Sequence, residues 1–265
     1  MPAARGVVST PVVRQDERAP SRTALWRAGE AAHARGEYVG QESFMRAGEI
    51  RALAARAGIG PGVSVLDLCC GVAGPGRMIT AESGCRYLGV DGSASAVQTA
   101  RGLAGGLPCR FEQAHVPPLP DGRFDVVLLL ETMLAFRDKA VLVEAVAGVL
   151  PTAGRFACTV EEGSPLTPGE RALMPDADTV WPIGLAELTG LLRAAGLAVT
   201  WQEEWTAAHA ATASALLRSY EADAAGISAA IGGPALADLL RAHRTWADWL
   251  GSGRVRKFAL VAEKR

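Results

Sequence analysis

The stretch that decides the fold is Val65-Leu-Asp-Leu-Cys-Cys-Gly-Val-Ala-Gly-Pro-Gly76, and Asp91 follows it within Leu88-Gly-Val-Asp-Gly92. The first segment predicts an apolar strand that enters a tight turn of small residues. Pro75 suits the first turn of a following helix, where its missing N–H is not needed. The second segment predicts another strand that ends on an acid. This order of elements is typical of nucleoside-binding α/β folds.

The turn at residues 69–76 would bring backbone N–H groups close to a ligand, and the Asp91 carboxylate would accept hydrogen bonds from ribose hydroxyls. The turn lacks the Gly-x-Gly-x-x-Gly spacing that makes room for a pyrophosphate. A nucleoside without a diphosphate therefore fits better, and S-adenosylmethionine is the common cofactor of that kind. For the same reason the sequence disfavours a nicotinamide-dependent dehydrogenase.

Composition limits the alternatives. The chain has 265 residues, of which 49% are hydrophobic and 21% are charged, so we expect a large core and no global disorder. The net charge is −1 and no basic stripe occurs, which disfavours nucleic acid as a partner. Without an apolar run of about eighteen residues, no membrane span is predicted. The five cysteines show no metal-ligand spacing and no signal peptide is evident, so we expect reduced thiols, no metal and a cytoplasmic protein.

Strands and helices are predicted to alternate over most of the chain, which indicates an α/β fold. We expect a doubly wound, mostly parallel seven-stranded sheet with helices on both faces and a C-terminal helical insertion as a cap. The predicted strands cover residues 64–68, 86–90, 109–113, 124–130, 155–160, 198–205 and 255–262. The predicted organisation is a flexible tail at 1–21 and a single domain at 22–265. That domain has N-terminal helices at 22–57 (one over 23–35 and one over 42–57), a core at 58–205 and 251–265, and a cap of two helices at 206–250.

Four short motifs follow one another along this predicted core. They are Val65-Leu-Asp-Leu-Cys-Cys-Gly71, Leu88-Gly-Val-Asp-Gly-Ser93, Phe111-Glu-Gln-Ala-His115 with Leu119-Pro-Asp-Gly-Arg-Phe-Asp125, and Leu150-Pro-Thr-Ala-Gly-Arg-Phe156. In this order and spacing the chain resembles the class I S-adenosylmethionine-dependent methyltransferases over roughly residues 36–265. The branch it resembles is the bacterial small-molecule one, which includes sarcosine/dimethylglycine N-methyltransferases and natural-product-tailoring enzymes.

The resemblance implies a set of cofactor-binding positions. Asp67, Cys69 and Gly71 would line the methionine part of the cofactor, and Asp91 would bind its ribose. The other implied positions are Gly92 and Ser93 beside the adenine, His115 and Val116 near the adenine amino group, the Leu130 carbonyl beside the methionine amine, and Tyr38 in a loop over the methionine carboxylate.

The chain also departs from the family pattern. Cys69 and Ala73 stand where the family usually has glycine, and a small side chain there narrows the pocket without closing it. His115 replaces an acid that usually contacts the adenine. Leu134-Ala135 replace an Asn-His pair that related sequences often carry after the fourth strand. A mechanism that uses that histidine is therefore excluded, but methyl transfer from an activated sulfonium needs mainly proximity and alignment.

Glu131 directly follows the apolar run at residues 126–130, at the predicted carboxyl end of a strand, where ligands of α/β sheets bind. A partly desolvated carboxylate there could have a raised pKa and act as a general base. It could equally hydrogen-bond the cofactor or a substrate ammonium group, or be structural. We keep Glu131 as the candidate catalytic or orienting residue.

The candidate substrate pocket consists of residues after the fourth strand and of tryptophans from the last third of the chain. Trp246 and Trp249 are three residues apart and so share a helix face. Facing the cleft, they would form an apolar wall suited to a cation; the alternative is ordinary core packing. Among the histidines, His209 is the best candidate for a role in the pocket. The full set of predicted pocket residues is Met133, Phe136, Trp181, Trp246 and Trp249.

The sequence thus predicts methyl transfer from S-adenosylmethionine to a small organic molecule by in-line SN2 displacement, in secondary metabolism, by a monomer or homodimer. The acceptor atom stays open. One alternative is a fold of the same kind that uses the bound cofactor for a cyclisation or decarboxylation without methyl transfer. Another is a cofactor-binding regulator without turnover, which the aromatic helical cap disfavours because it suits an enclosed small ligand.

Overall fold

Strands and helices alternate as expected in the computed structural model, which describes residues 19–265. Residues 1–18, which hold most of the predicted tail at 1–21, lie outside the described residues. Residues 19–21 belong to the first helix, which begins at Ala19 and ends at Ala32, whereas the sequence predicted a helix from Thr23 to Arg35.

Seven strands form one sheet in the order β3-β2-β1-β4-β5-β7-β6. Strands β1 to β5 run parallel to one another, and β7 is antiparallel to both β5 and β6. The predicted fold class is confirmed. The strands are β1 (Ser64–Leu68), β2 (Arg86–Asp91), β3 (Cys109–Gln113), β4 (Val126–Leu129), β5 (Arg155–Glu162), β6 (Leu197–Glu204) and β7 (Arg256–Lys264).

Helices surround this sheet, and their apolar residues fill two core layers, one on each face of the sheet. The described residues form α1 (Ala19–Ala32), α2 (Ala47–Arg56), α3 (Gly74–Ser83), α4 (Ala94–Leu103), α5 (Lys139–Val149), α6 (Pro168–Leu173), α7 (Leu185–Ala194), α8 (Thr206–Ala222), α9 (Ala224–Ile231) and α10 (Gly233–Ser252), with short 3-10 turns at Met133–Ala135 and Ala177–Thr179. All four residues of β4 are buried, because helices cover both faces of a central parallel strand.

Two predicted helical regions differ from the structure. The helix predicted from residue 42 begins only at Ala47, where the Glu49 side chain accepts a hydrogen bond of 2.8 Å from the Arg46 N–H and fixes the first turn. The predicted cap contains three helices instead of two, because the chain breaks at Asp223 as well as at Gly232.

The cap lies between β6 and β7. Helices α8 and α10 pack on each other, and α1 adds a further layer, held in part by a hydrogen bond of 2.8 Å from Ser219 Oγ to the Ala28 carbonyl. The insertion is anchored where it starts, since the Trp205 N–H donates to the Lys257 carbonyl at 2.8 Å. None of the helices within residues 19–265 is both long and apolar enough to cross a membrane.

Candidate active site

The turn after β1 is shaped by left-handed backbone and tied to the end of β2. Cys69, Gly71 and Ala73 have φ values of 57°, 55° and 55°. The Gly71 N–H donates to Asp91 Oδ2 at 2.9 Å, and the Ser93 N–H donates to Asp91 Oδ1 at 2.8 Å. One carboxylate therefore orders both the turn and the start of α4, and it holds its oxygens at the carboxyl edge of the sheet.

The N-terminal loop crosses directly over this turn. A Cβ atom built on Gly74 would lie 2.5 Å from the Val39 carbonyl oxygen, so a side chain there would displace the loop. The loop is fixed from within, because the Gln41 side chain accepts from the Val39 N–H at 2.6 Å and donates to the Met45 carbonyl at 2.7 Å. The loop and the turn together form one mouth of a pocket.

The pocket is a cavity of about 50 Å³ at the carboxyl ends of β1 and β4. Parallel α/β sheets bind ligands at this edge. Its lining residues are Gly40, Gln41, Glu42, Ser43, Met45, Asp67, Cys69, Cys70, Gly71, Val72, Ala73, Gly74, Pro75, Leu130, Glu131 and Thr132.

Asp67 is a buried carboxylate on the β1 side of the pocket, and no described residue forms an ion pair with it. Burial raises its pKa to about 7; a hydrogen bond from Tyr87 opposes that rise, and the neighbouring Asp91 charge adds to it. The Tyr87 hydroxyl donates to Asp67 Oδ2 at 2.5 Å. A cation placed beside this acid would favour its ionised form.

Glu131 is a buried carboxylate on the β4 side, and it is tightly held. Its φ is 59°, and its N–H donates to Thr159 Oγ1 at 2.7 Å. The same hydroxyl donates to Glu131 Oε1 at 2.9 Å, and Lys257 Nζ lies 2.5 Å from that oxygen. Burial alone would raise its pKa, but Lys257 and His209 outweigh burial and lower it. The raised pKa considered from the sequence is therefore wrong for this carboxylate.

Lys257 connects Glu131 to a second buried carboxylate. Its ammonium also forms an ion pair with Glu161, which lies opposite it in the β5–β7 ladder. Burial opposes the charged form of Lys257, but Glu131 and Glu161 together raise its pKa. The ammonium is therefore a fixed positive charge behind the pocket.

His209 reaches the same region from the first turns of α8. Its Nε2 lies 3.3 Å from Glu49 Oε2, and its Nδ1 lies 3.8 Å from Glu131 Oε2. The ring stacks on Trp205 at 6.2 Å and meets Phe44 edge-on at 6.5 Å. The His209 imidazole, which belongs to the cap, therefore lies close to both Glu49 of α2 and Glu131 at the end of β4.

The structure brings part of the predicted cofactor set to this pocket. Asp67, Cys69, Gly71 and Leu130 line it, as does the candidate catalytic or orienting residue Glu131. Burial raises the pKa of the Cys69 thiol well above its usual value, and the charges of Asp91 and Asp67 raise it further. Cys69 therefore lines the pocket as an uncharged thiol.

Four further predicted residues adjoin the pocket around Asp91. Ser93 caps α4, and its hydroxyl accepts from the Ala96 N–H at 3.3 Å. A Cβ atom on Gly92 would lie 2.8 Å from His115 Nδ1, so the imidazole rests on the glycine. Asp91, Gly92, Ser93 and His115 are therefore one contiguous group at the ends of β2 and β3.

The remaining predicted residues do not line this cavity. Tyr38 packs on α1, where a Cβ on Gly29 would touch its ring. Val116, Met133 and Phe136 lie in the core between the sheet and its helices. Trp181 is half-buried, and the guanidinium groups of Arg137 and Arg171 lie 4.9 Å and 4.3 Å from the centre of its ring. Trp246 and Trp249 lie edge to face at 5.4 Å inside the cap core.

Sequence reasoning missed three charged residues of the site, namely Lys257, Glu161 and Glu49. The sequence does indicate Lys257 and Glu161 as unusual, since each is a charged residue near one end of a mostly apolar strand. Their pairing depends on strand register, which the sequence alone does not show. The described residues contain no group of three or more His, Cys, Asp or Glu side chains placed to hold a metal ion.

A seven-stranded sheet of this order, with a small-residue turn and a strand-end acid at one edge, is the class I methyltransferase fold. Residues 65–154 match the family described as "Methyltransferase domain". This match covers the part of the chain that holds the turn after β1 and Asp91, and it supports the resemblance drawn from the four motifs.

The comparisons include a plant enzyme and two solved structures. Over 117 residues the chain is 29% identical to chloroplastic tocopherol O-methyltransferase of Arabidopsis thaliana, covering 42% of this chain and 34% of that protein. The chain thus spans about a third of the length of the curated relatives it matches.

The two structures share the fold. Phosphoethanolamine N-methyltransferase 2 of Haemonchus contortus, in complex with S-adenosyl-L-methionine, gives a TM-score of 0.74 at 16% identity, over 92% of this chain and 57% of that one. The [4+2]-cyclase SpnF gives 0.74 at 19% identity, over 98% of both chains.

Proposed function

We propose that the protein transfers the methyl group of S-adenosyl-L-methionine to a small organic molecule by in-line SN2 displacement. One observation carries this proposal: the turn that Asp91 holds in place lies beside Asp67, a buried carboxylate that no described cation neutralises. In a nucleoside with a cationic amino-acid tail, the ribose would bind Asp91 and the ammonium would lie beside Asp67.

The residues present fit that cofactor. Asp91 accepts two backbone N–H bonds and keeps lone pairs for ribose hydroxyls. Gly92 and His115 lie next to it, where an adenine would continue from the ribose. Asp67 and Leu130 line the cavity beside the turn, where the methionine ammonium would lie. The loop at residues 39–43 would close over the carboxylate.

We assign an orienting role to Glu131 in preference to base catalysis. Lys257 and Thr159 hold its Oε1 and keep the group ionised, so it is a weak proton acceptor. Its Oε2 faces the region between the pocket and His209. A fixed negative charge there aligns a cationic reactant, and alignment supplies most of what an SN2 transfer from an activated donor needs.

The cap covers the acceptor side of this arrangement. Phe44 and Leu134, which adjoin the pocket residues in sequence, belong to the same apolar cluster as Trp246 and Trp249. We therefore propose an acceptor with a sizeable apolar part. Secondary metabolism in a bacterium, a cytoplasmic location, and a monomeric or homodimeric state are further parts of this proposal, as is the division into core (58–205 and 251–265) and cap (206–250).

A second candidate is cyclisation without methyl transfer. It is supported by the similarity to a [4+2]-cyclase along nearly the whole chain. The masses of the products separate the two reactions, because methyl transfer adds one CH₂ to the acceptor and a cyclisation adds none.

Cofactor binding tests the proposal first. S-adenosylhomocysteine should raise the melting temperature, because a ligand that binds only the folded state stabilises it, whereas NAD should not. Asp91→Ala should weaken S-adenosylhomocysteine binding by about 1–3 kcal/mol in calorimetry, the size of a lost charge-assisted hydrogen bond. Asp121→Ala, in an exposed loop, is the matched control. Stabilisation by NAD alone, or unchanged affinity in Asp91→Ala, would refute the assignment.

A further inference from the structure

Thr159 is a polar residue in the most buried part of β5. It lies within the apolar stretch at residues 156–160, and none of its surface is exposed. Its side chain lies on the same face of the strand as Glu161, because side chains alternate along a strand. Burying a hydroxyl group is unfavourable unless the group is hydrogen-bonded. The hydroxyl group of Thr159 is therefore expected to have partners inside the protein.

Both hydrogen bonds that this hydroxyl group makes are with Glu131. Thr159 Oγ1 accepts a hydrogen bond of 2.7 Å from the Glu131 N–H and donates one of 2.9 Å to Glu131 Oε1. Threonine suits this arrangement, because its branched β-carbon restricts the rotation of the side chain. One rigid hydroxyl group thus holds both the backbone and the side chain of the carboxylate residue that lines the pocket.

The backbone of Glu131 needs such support. Its φ of 59° is left-handed, a conformation that residues with a Cβ rarely adopt and that persists only where the surrounding structure imposes it. The bond from the Glu131 N–H to Thr159 supports this conformation at the edge of the cavity. The side chain is fixed through Oε1, which Thr159 and Lys257 share. Of the two carboxylate oxygens, Oε2 is the one that neither of these residues holds.

We infer that Thr159 is a positioning residue, which fixes Glu131 so that its carboxylate presents a negative charge to the sulfonium of the bound cofactor. Thr159 is not among the residues that line the cavity, whereas Glu131 is, so Thr159 acts on the ligand only through the carboxylate. The inference rests on the proposed function. It adds that the hydroxyl group at position 159 controls how strongly the protein distinguishes a positively charged sulfur from a neutral one.

Two ligands that differ in the charge on sulfur test this inference. S-adenosylmethionine carries a sulfonium, whereas S-adenosylhomocysteine has a neutral thioether and the same nucleoside and amino-acid parts. Calorimetry on the whole protein gives both dissociation constants. The constant for S-adenosylhomocysteine divided by that for S-adenosylmethionine is the charge ratio. Thr159→Val keeps the shape of the side chain but removes the hydroxyl group. We expect it to lower the charge ratio by about three- to tenfold, the worth of roughly one hydrogen bond.

Further variants show whether the effect passes through Glu131. Thr159→Ser keeps the hydroxyl group and should restore the charge ratio of the unaltered protein. Glu131→Gln should lower the charge ratio, and adding Thr159→Val to it should lower the ratio no further, because the carboxylate charge is already gone. Thr80→Val is the matched control and should leave the charge ratio unchanged. Thr80 is also buried, but its hydroxyl group donates to the Gly76 carbonyl at 2.8 Å.

A purely structural role for Thr159 would weaken the binding of both ligands by the same factor and leave the charge ratio unchanged. That result would overturn the inference, as would a charge ratio that Thr159→Val lowers equally with and without Glu131→Gln. Where Thr159→Val does not fold, Thr159→Ala removes the same hydroxyl group with less bulk. An unchanged charge ratio in Glu131→Gln alone would also overturn the inference. Failure of the proposed function looks different, because then neither ligand binds and no heat of binding is seen.

Discussion

Two carboxylates face the same pocket from opposite sides, and their pKa values are shifted in opposite directions. On the β1 side, Asp67 meets a tyrosine hydroxyl and a second acid, and its pKa rises to about 7. On the β4 side, Glu131 is equally buried, but Lys257 and His209 lower its pKa. The difference lies in the cations behind each group, because burial alone raises the pKa of both. Asp67 would therefore become charged when a cation binds beside it, whereas Lys257 and His209 already favour the charged form of Glu131.

The largest expected effect comes from removing the cation of the β4 side. Lys257→Met should lower the free energy of unfolding by about 3–5 kcal/mol, because it leaves two buried carboxylates without their shared partner. Urea denaturation measures this. Arg241→Ala, which breaks an exposed pair with Asp238, is the control and should change stability by less than about 0.5 kcal/mol. Adding Glu131→Gln and Glu161→Gln to Lys257→Met should recover part of the loss; no recovery would show that the charges are not its cause.

The next effect concerns Asp67 and depends on pH. An acid whose pKa is raised on folding stabilises the folded state fully below its unfolded pKa near 4, and this contribution is lost as pH rises through about 7. Asp67→Asn cannot titrate. In the ligand-free protein its stability relative to wild type should therefore rise by about 1–3 kcal/mol between pH 5 and pH 8. Urea denaturation at the two pH values tests it, and a difference that stays flat would contradict the raised pKa.

Glu131→Gln distinguishes an orienting charge from a base. If Glu131 orients a reactant, the amide keeps the shape, and we expect the turnover rate to fall by no more than about tenfold, the size of roughly one hydrogen bond. A base would lose about 10²–10⁴-fold. Rate and cofactor affinity should be measured on the same preparation. A fall in rate beyond about a hundredfold with unchanged affinity would restore the base assignment.

The smallest expected effect tests backbone strain, which both sides of the pocket share. Cys69, Ala73 and Glu131 all have left-handed backbone, which is unfavourable for residues with a Cβ. Ala73→Gly should therefore stabilise the protein by about 0.5–1 kcal/mol. Ala147→Gly, at a buried right-handed position in α5, should destabilise it by about 1 kcal/mol. Thermal denaturation of both variants is the measurement. If Ala73→Gly and Ala147→Gly shifted the melting temperature in the same direction, the strain argument would be wrong.

The β1 side of the site could be predicted from sequence because its information is local. The bounds of β1 and β3 are as predicted, since apolar runs between turn residues mark them. The strand-end acid Asp91 and the turn at residues 69–76 lie within one strand–helix–strand unit, so their proximity follows from the fold alone.

The β4 side could be predicted only in part, because its contacts join distant segments. Glu131 was predicted at a strand end, but the direction of its pKa depends on Lys257, which reaches it through the antiparallel register of β5 and β7. The cap tryptophans were predicted to line a pocket on helical periodicity. Periodicity identifies the buried face of a helix but not whether that face meets a ligand or, as for Trp246 and Trp249, a neighbouring helix.

The cap enters and leaves the sheet at one place, because Trp205 at its start is hydrogen-bonded to Lys257 just after its end. An inserted segment whose ends meet can be exchanged without altering the strands on either side. A change in the region between β6 and β7 would therefore leave in place the edge of the sheet that carries Asp67 and Asp91. His209 limits that freedom, since any replacement segment must still place a side chain between the carboxylates of Glu49 and Glu131.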